Sequence, residues 1–190
     1  DDNGLILPPK LAPYQIVIIP IFKSEKELED ITNFVNPIIN EIRDNGFTVK
    51  FDIRLNQKPG FKFNEYEVKG VPIRIAVGPR DLKENTIEIF RRDKMEKKNL
   101  KSSEAIAEIK FLIEDIQKTL FERSKDFMNV NTKVAENYED FKKLIFDGGF
   151  VLAHWDGTEQ TEELIKKETK ATIRCIPFES TESGSCIVSG

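Results

Sequence analysis

The sequence predicts an α/β chain: a mixed β-sheet flanked by helices, followed by a small α/β domain at the C-terminal end. Three observations lead there. Ile16 to Ile21 is a nearly continuous β-branched run interrupted only by Pro20, the pattern of a strand covered on both faces. Leu28, Ile31, Val35, Ile38 and Ile42 then recur at helical spacing, and Phe47, Val49 and Phe51 alternate with polar residues, so strand, helix and strand form a right-handed crossover with a parallel pair. After a long amphipathic pattern through Ile106, Ile109, Ile113, Ile116 and Leu120, strand and helix signals resume, which calls for a second domain.

The elements follow in order. D-D-N-G and L-P-P-K read as turn and extended linker, because Pro8 and Pro9 exclude helix and push their predecessors toward extended geometry. Ser24 with Glu27 forms a capping box at the start of the first helix, Gly46 stops it, and Pro37 is expected to kink it. Between Lys58 and Arg80 the chain reads K-P-G-F-K-F-N-E-Y-E-V-K-G-V-P-I-R-I-A-V-G-P-R. Pro59-Gly60 and Lys69-Gly70 bracket its first half as loop or a short helical turn. Val71, Ile73, Ile75 and Val77 alternate with Pro72, Arg74, Ala76 and Gly78, a third strand that displays Arg74 on the face away from the core. Thr86 to Arg92 is a fourth strand, followed by a charged loop, D-K-M-E-K-K-N. The long helix runs from about Ser103 to Ser124 or beyond. Further on come a helix near Tyr138 to Phe146, a strand Phe150 to His154, a helix opened by Thr158, and strands near Ala171 to Ile176 and Ser185 to Ser189. The core of that last part is expected around Phe150, Leu152, Ile173 and Ile176.

The chain has 190 residues, 39% of them hydrophobic, enough for one large or two small domains. No apolar run approaches the ~20 residues of a membrane span, and the acidic start is the reverse of a signal peptide, so a cytoplasmic protein is expected. Cys175 and Cys186 read as reduced thiols, Cys175 as a small core residue. The net charge of −4 conceals an asymmetry: Lys58 to Lys101 carries +5 and the remainder −9. A local basic segment on an acidic body suits a polyanion bound at one place, although a solvated mixed-charge surface gives the same count.

No catalytic constellation emerges. His154, the single histidine, ends an apolar strand beside Trp155 and reads as structural. The glycine-rich stretches lack the Lys-Ser/Thr of a phosphate-gripping loop. By contrast, Phe61, Phe63 and Tyr66 interleave with Lys62, Glu65, Glu67 and Lys69, and aromatic faces beside fixed charges are what unstacked nucleic-acid bases need.

The words K-P-G-F-K-F-N-E-Y-E-V-K-G-V-P-I-R, G-P-R-D-L and F-R-R-D-K-M-E-K resemble the anticodon-binding domain of prolyl-tRNA synthetases, and G-G-F-V-L-A-H-W, A-T-I-R-C-I-P and C-I-V-S-G resemble the extra C-terminal domain of that family's archaeal and eukaryotic-like branch. The resemblance covers nearly the whole chain. It implies the class IIa anticodon-binding fold, with residues 1–12 as the tail of a catalytic domain, 13–125 as the anticodon-binding domain and 126–190 as the C-terminal domain. It implies recognition of the proline tRNA anticodon for a parent ligase that uses ATP and Mg, pairs as a homodimer and holds its ATP-binding motifs upstream of Asp1. The piece alone is then expected to be inactive, with neither membrane nor DNA as a partner. By motif match the RNA-binding residues are Glu67, Arg74, Arg80, Asp81 and Lys97, with Lys94 or Lys98 as alternatives to Lys97 and the lysines of 94–98 expected mainly to hold phosphate. Two adjacent guanines in the anticodon offer N1–H and N2–H₂ to a carboxylate and O6 and N7 to a cation. Glu67 and Arg74 supply one of each, unless they merely pair with one another as a surface salt bridge.

Relatives carry four cysteines for zinc in the last domain. The corresponding positions here are Asp156, about Thr161, Cys186 and Ser189, so one ligand of four remains and zinc is not expected. Two alternatives stay open: the anticodon-binding domain of another class IIa enzyme, threonyl or histidyl, and a free-standing α/β module for a small molecule or protein, which a pocket lined by apolar side chains would favour.

Overall fold

The structure is a computed structural model that describes residues 2–178 and 183–190. Among them are seven strands and six α-helices, in two compact units, Asp1–Glu122 and Arg123–Gly190. No helix among the described residues is long and apolar enough to cross a membrane.

In the first unit, β1 (Ile16–Pro20), β2 (Val49–Phe51), β3 (Ile73–Val77), β4 (Thr86–Arg91) and β5 (Glu96–Lys101) form one mixed sheet in the order β2-β1-β3-β4-β5. β1 is parallel to both β2 and β3, whereas β3, β4 and β5 are antiparallel in turn. The parallel pairs require crossovers, and the helices α1 (Glu25–Asp44) and α2 (Pro59–Val68) supply them.

α1 starts as its sequence directs. Ser24 Oγ accepts from the Glu27 amide at 3.3 Å, while the Glu27 carboxylate accepts from the Lys23 amide at 2.7 Å rather than from Ser24. The helix continues through Pro37 to Asp44 as one element. Its Ile31, Val35, Ile38 and Ile42 pack with Ile16, Ile18, Ile73 and Ile75 of the sheet, and Ile109, Leu112 and Ile116 of α4 (Ala105–Val130) complete the same core. The unit boundary falls within α4.

The opposite face of the sheet is the one the sequence misjudges. Residues 59–68, read there as loop or a short helical turn, form the ten-residue helix α2, which lays Tyr66 and Phe63 against Val17, Ile19 and Val71. Pro59 sits in its first turn, where a missing N–H costs nothing. A segment at the N-terminus straps the end of this helix: the Leu5 amide donates to Val68 O at 2.9 Å and the Leu7 amide to Gly70 O at 3.3 Å. Gly70 has φ +72° there, and a Cβ would stand 2.7 Å from that of Leu5.

The charged stretch after β4 is no loop. Four residues, 92–95, turn the chain, and Glu96–Lys101 pairs with β4 over its whole length, from Arg91↔Glu96 to Thr86↔Lys101. As the outer strand it buries only Leu100, which is why no apolar alternation marks it in the sequence.

In the second unit, β6 (Thr132–Val134) pairs in parallel with β7 (Phe150–Leu152), with α5 (Tyr138–Asp147) between them in sequence and α6 (Glu159–Thr169) after. The buried apolar residues here are Phe141, Ile165 and Cys186. Phe150, Leu152 and Ile176 are exposed instead of forming the core, because a two-stranded sheet has too little covered area to bury both faces. Cys175 is likewise exposed rather than in the core, and both cysteines are free. Residues 171–176 and 185–189 form no strand among the described residues; 187–189 is a turn whose Ile187 amide donates to His154 O at 2.9 Å.

Candidate nucleic-acid interface

The register of the first sheet assembles the site. Arg74 on β3 lies opposite Phe90 on β4, and Phe90 lies opposite Lys97 on β5. One row therefore reads Arg74, Phe90, Lys97 on the face away from α1, and the next row reads Ala76, Glu88, Asn99 on the same face. From α2, Phe63 and Glu67, four residues apart and so on one side of the helix, reach over that row.

Arg74 is not displayed. It is 7% exposed, its guanidinium carbon 3.9 Å from the ring centroid of Phe63 and 4.3 Å from that of Phe90, and its Nη1 donates to Glu67 Oε1. The alternation placed it on the correct face; the unrecognised helix covers that face. Its Nε is buried without a hydrogen-bond partner among the described residues. A buried donor in that condition costs about 1–3 kcal/mol, so the site holds an unmet demand for an acceptor.

Two residues that sequence reasoning missed hold the arrangement. Arg92 is fully buried, and its Nε donates to Glu67 O at 3.0 Å, so a cation sits on the C-terminal carbonyls of α2 and fixes the backbone of the carboxylate-bearing residue. Asp52, 1% exposed, accepts from Arg54 Nε at 2.9 Å and from Tyr66 Oη at 3.2 Å, and its Oδ1 lies 3.5 Å from Lys62 Nζ. Burial works to raise the Asp52 carboxyl pKa, but the Arg54 hydrogen bonds and the Lys62 charge outweigh it and hold the group well below the usual carboxylate range. Burial also lowers Lys62 and pushes Tyr66 up to about 12. Lys62 and Tyr66 are again four apart, so this cluster anchors one side of α2 while the neighbouring side presents Phe63 and Glu67.

The remaining motif residues divide. Lys97 shares the Arg74 face, with its Nζ 3.6 Å from Glu88 Oε2, whereas Lys94 and Lys98 turn to Asp115 and Glu108 of α4. Arg80 lies on the short helix α3 (Pro79–Glu84) and pairs with Glu84 at 3.0 Å. Asp81 caps that helix: its Oδ2 accepts from the Gly78 amide at 2.8 Å and its Oδ1 from Thr86 Oγ1 at 3.4 Å. Neither joins the cluster of Glu67 and Arg74.

A cleft of about 630 Å³ lies near the strap, with Leu7, Tyr14, Phe51 and Ile53 among its apolar walls. Four of the charged groups along it engage one another, Arg54 bridging Asp52 and Glu65 at 2.6 Å each and Lys69 taking Glu65 at 2.5 Å, while Lys50 Nζ stands 6.0 Å from the Tyr14 ring centroid.

Residues 15–112 match the family model described as the anticodon binding domain. The chain belongs to that family. Residues 138–190 match the model of the prolyl-tRNA synthetase C-terminal region. The anticodon-binding chain is 48% identical over 192 residues to the proline--tRNA ligase of Christiangramia forsetii and 51% identical over 191 residues to that of Porphyromonas gingivalis. Both alignments cover all of this chain and 39% of the relative, so the chain spans about two fifths of their length. A solved structure of prolyl-tRNA synthetase from Cryptosporidium parvum, complexed with L-proline and AMP, superposes with a TM-score of 0.89 at 34% identity, covering 98% of this chain and 40% of that one.

The four positions that resemble zinc ligands converge in the second unit, but as a hydrogen-bonded knot. Asp156 Oδ1 accepts from Thr161 Oγ1 at 2.7 Å and from the Thr158 amide at 3.0 Å, and Oδ2 accepts from Ser189 Oγ at 2.8 Å. The Thr161 hydroxyl, then the Thr158 amide and Ser189, hold the Asp156 carboxyl well below the usual carboxylate range. Burial works to raise the Cys186 thiol, but hydrogen bonds from Ser189 and the Val188 and Asp156 amides bring it down. One thiol, two hydroxyls and a carboxylate whose oxygens are already engaged do not fit tetrahedral zinc, and no group of three or more His, Cys, Asp or Glu converges among the described residues.

Proposed function

We propose that the chain is the part of a proline–tRNA ligase that holds the proline tRNA anticodon, with residues 13–125 as the reading domain and 126–190 as the C-terminal domain. Glu67 and Arg74 read one guanine, and Lys97 lies on the same face. Arg80 and Asp81 contribute from the neighbouring end of β3. The whole ligase joins proline to its tRNA with ATP and Mg, acts as a cytoplasmic homodimer, and keeps the adenylating chemistry outside this 190-residue stretch. The C-terminal domain needs no zinc.

The observation that carries the reading is Arg74: a guanidinium in cation–π contact with two aromatic rings, one arm on Glu67 and its Nε buried without an acceptor. A guanine edge offers O6 and N7 to a guanidinium and N1–H and N2–H₂ to a carboxylate, the two kinds of group that Arg74 and Glu67 bring together. The apolar-walled cleft supports a small-molecule module less well, since Asp52, Arg54, Glu65 and Lys69 along it are engaged with one another.

The test is binding of wild type and Arg74→Ala to proline tRNA and to a transcript with both guanines replaced, at several salt concentrations. Arg74→Ala costs about 1–3 kcal/mol on the cognate RNA and much less on the other. Equal losses on both, or none, would leave Glu67–Arg74 as a structural salt bridge.

A further inference from the structure

The cleft of about 630 Å³ beside the strap lies outside the anticodon reading, since Glu67, Arg74 and Lys97 take no part in its walls. Its volume falls in the range of ordinary small-molecule sites. Leu5, Tyr14 and Ile53 border it and are 57%, 43% and 51% exposed, so a concave apolar surface stands open to water. The charges along it sort unevenly. Asp52, Arg54, Glu65 and Lys69 are two acids and two bases that engage one another and sum to zero. Lys50 is the fifth. It enters no ion pair among the described residues, and its Nζ stands 6.0 Å from the Tyr14 ring centroid, at the outer limit of cation–π attraction. The cleft thus combines apolar walls with one uncompensated positive charge.

We propose that this cleft binds a small amphipathic carboxylic acid, its apolar body against Leu5, Tyr14 and Ile53 and its carboxylate at Lys50. Contact with these side chains removes apolar surface from water on both partners and supplies most of the affinity. The carboxylate meets the one cation that has no other acid to satisfy. Arg54 and Lys69 are poorer partners for it, because both already hold Glu65, at 2.6 and 2.5 Å. An amine of the same shape brings a further positive charge to a wall where Lys50, Arg54 and Lys69 stand against Asp52 and Glu65, a net +1. Inorganic phosphate has the charge without the body and leaves the apolar walls wet. The inference does not depend on the anticodon reading, and either stands if the other fails.

The experiment titrates the isotope-labelled 190-residue chain with phenylbutyrate, its neutral amide phenylbutanamide, its cationic analogue phenylbutylamine and inorganic phosphate, following backbone amide shifts at neutral pH. Phenylbutyrate gives saturable shifts confined to residues 5–14, 50–54 and 65–71, and it binds about two- to fivefold more tightly than the amide, the margin that an ion pair at an exposed site supports. Phenylbutylamine binds more weakly than the amide, and phosphate gives no saturable shift there. Lys50→Met brings the acid down to the affinity of the amide and leaves the amide's own affinity in place, whereas Lys50→Arg keeps the preference. Ile53→Ala, at a half-exposed position, weakens acid and amide alike. If the acid fails to saturate, if its shifts map elsewhere, or if Lys50→Met leaves the preference intact, the site is overturned. Phosphate competing as well as phenylbutyrate would reduce it to a surface cation and overturn it too.

Discussion

Replacing Asp52 with Asn isolates a charge on which the geometry of α2 depends. Lys62 is 1% exposed, and its Nζ has the Asp52 carbonyl at 2.9 Å and the Asp52 carboxylate at 3.5 Å. Asp52→Asn keeps the first contact and removes the counter-charge, leaving an ammonium in the interior; breaking a buried pair from one side costs about 3–5 kcal/mol. The loss has a ceiling that pH reveals. Burial already lowers the Lys62 pKa, with the Asp52 charge raising it in opposition, so without that charge the pKa falls further below its unfolded value. Between the two values the unfolded chain binds more protons than the folded one, so the variant gains stability as pH rises, by up to about 1.4 kcal/mol per unit. Urea unfolding followed by far-UV circular dichroism at pH 7 and 9.5, with amide exchange of β1 and α2 to assign the transition, measures both effects. Asp52→Asn with Lys62→Met restores most of the loss. A cost under about 1 kcal/mol with no recovery at high pH would mean that water from the adjoining cleft solvates Lys62, and the buried-pair reasoning would fail.

Two further outcomes follow from the same contacts. Phe90→Leu removes one of the two rings in contact with Arg74 and weakens cognate RNA binding by about 0.5–2 kcal/mol, checked by the tRNA binding series used for Arg74→Ala, whereas an unchanged affinity would make the ring mere packing. Asp156→Asn unties the knot that holds Ser189, seen as faster amide exchange in 183–190 and altered Trp155 fluorescence, since Trp155 Nε1 donates to Thr161 Oγ1 at 2.8 Å. Because the Asp156 pKa is depressed on folding, the wild-type knot is complete above the unfolded value of about 3.9 and is lost as pH falls through the folded one, whereas a chelator leaves it untouched; melting by chelator would restore a metal to the account.

The parts legible in the sequence are those whose burial is apolar and periodic. β1, α1 and α4 face one hydrophobic core, and their isoleucines announce it. α2 was illegible because its innermost side chains are Lys62 and Tyr66, whose burial depends on Asp52 ten and fourteen residues upstream, a partnership no local period records. The burial of Arg74 escapes the sequence for the same reason: alternation reports which face a residue takes and nothing about what covers that face. Motif matching points to Glu67, Arg74 and Lys97, whereas Phe90 and Glu88 come beside Arg74 and Lys97 only through strand register, which depends on a hairpin whose outer strand reads E-K-K-N-L-K, and Arg92 reaches Glu67 only through a side-chain hydrogen bond from the turn. In the second unit the knot was visible as four matched positions, but its bonding is not, because hydroxyls and a carboxylate reveal their partners only in three dimensions.

β5 ends the five-stranded sheet on one side, with a full row of backbone donors and acceptors on its outer flank. Such an edge invites a strand from a second chain, and the usual protection is charge. Lys97, Lys98 and Lys101 supply it, while β2 at the other edge is only three residues long and offers little to pair with. The lysine we propose as a nucleic-acid contact thus also belongs to the group that keeps the sheet from growing into an aggregate.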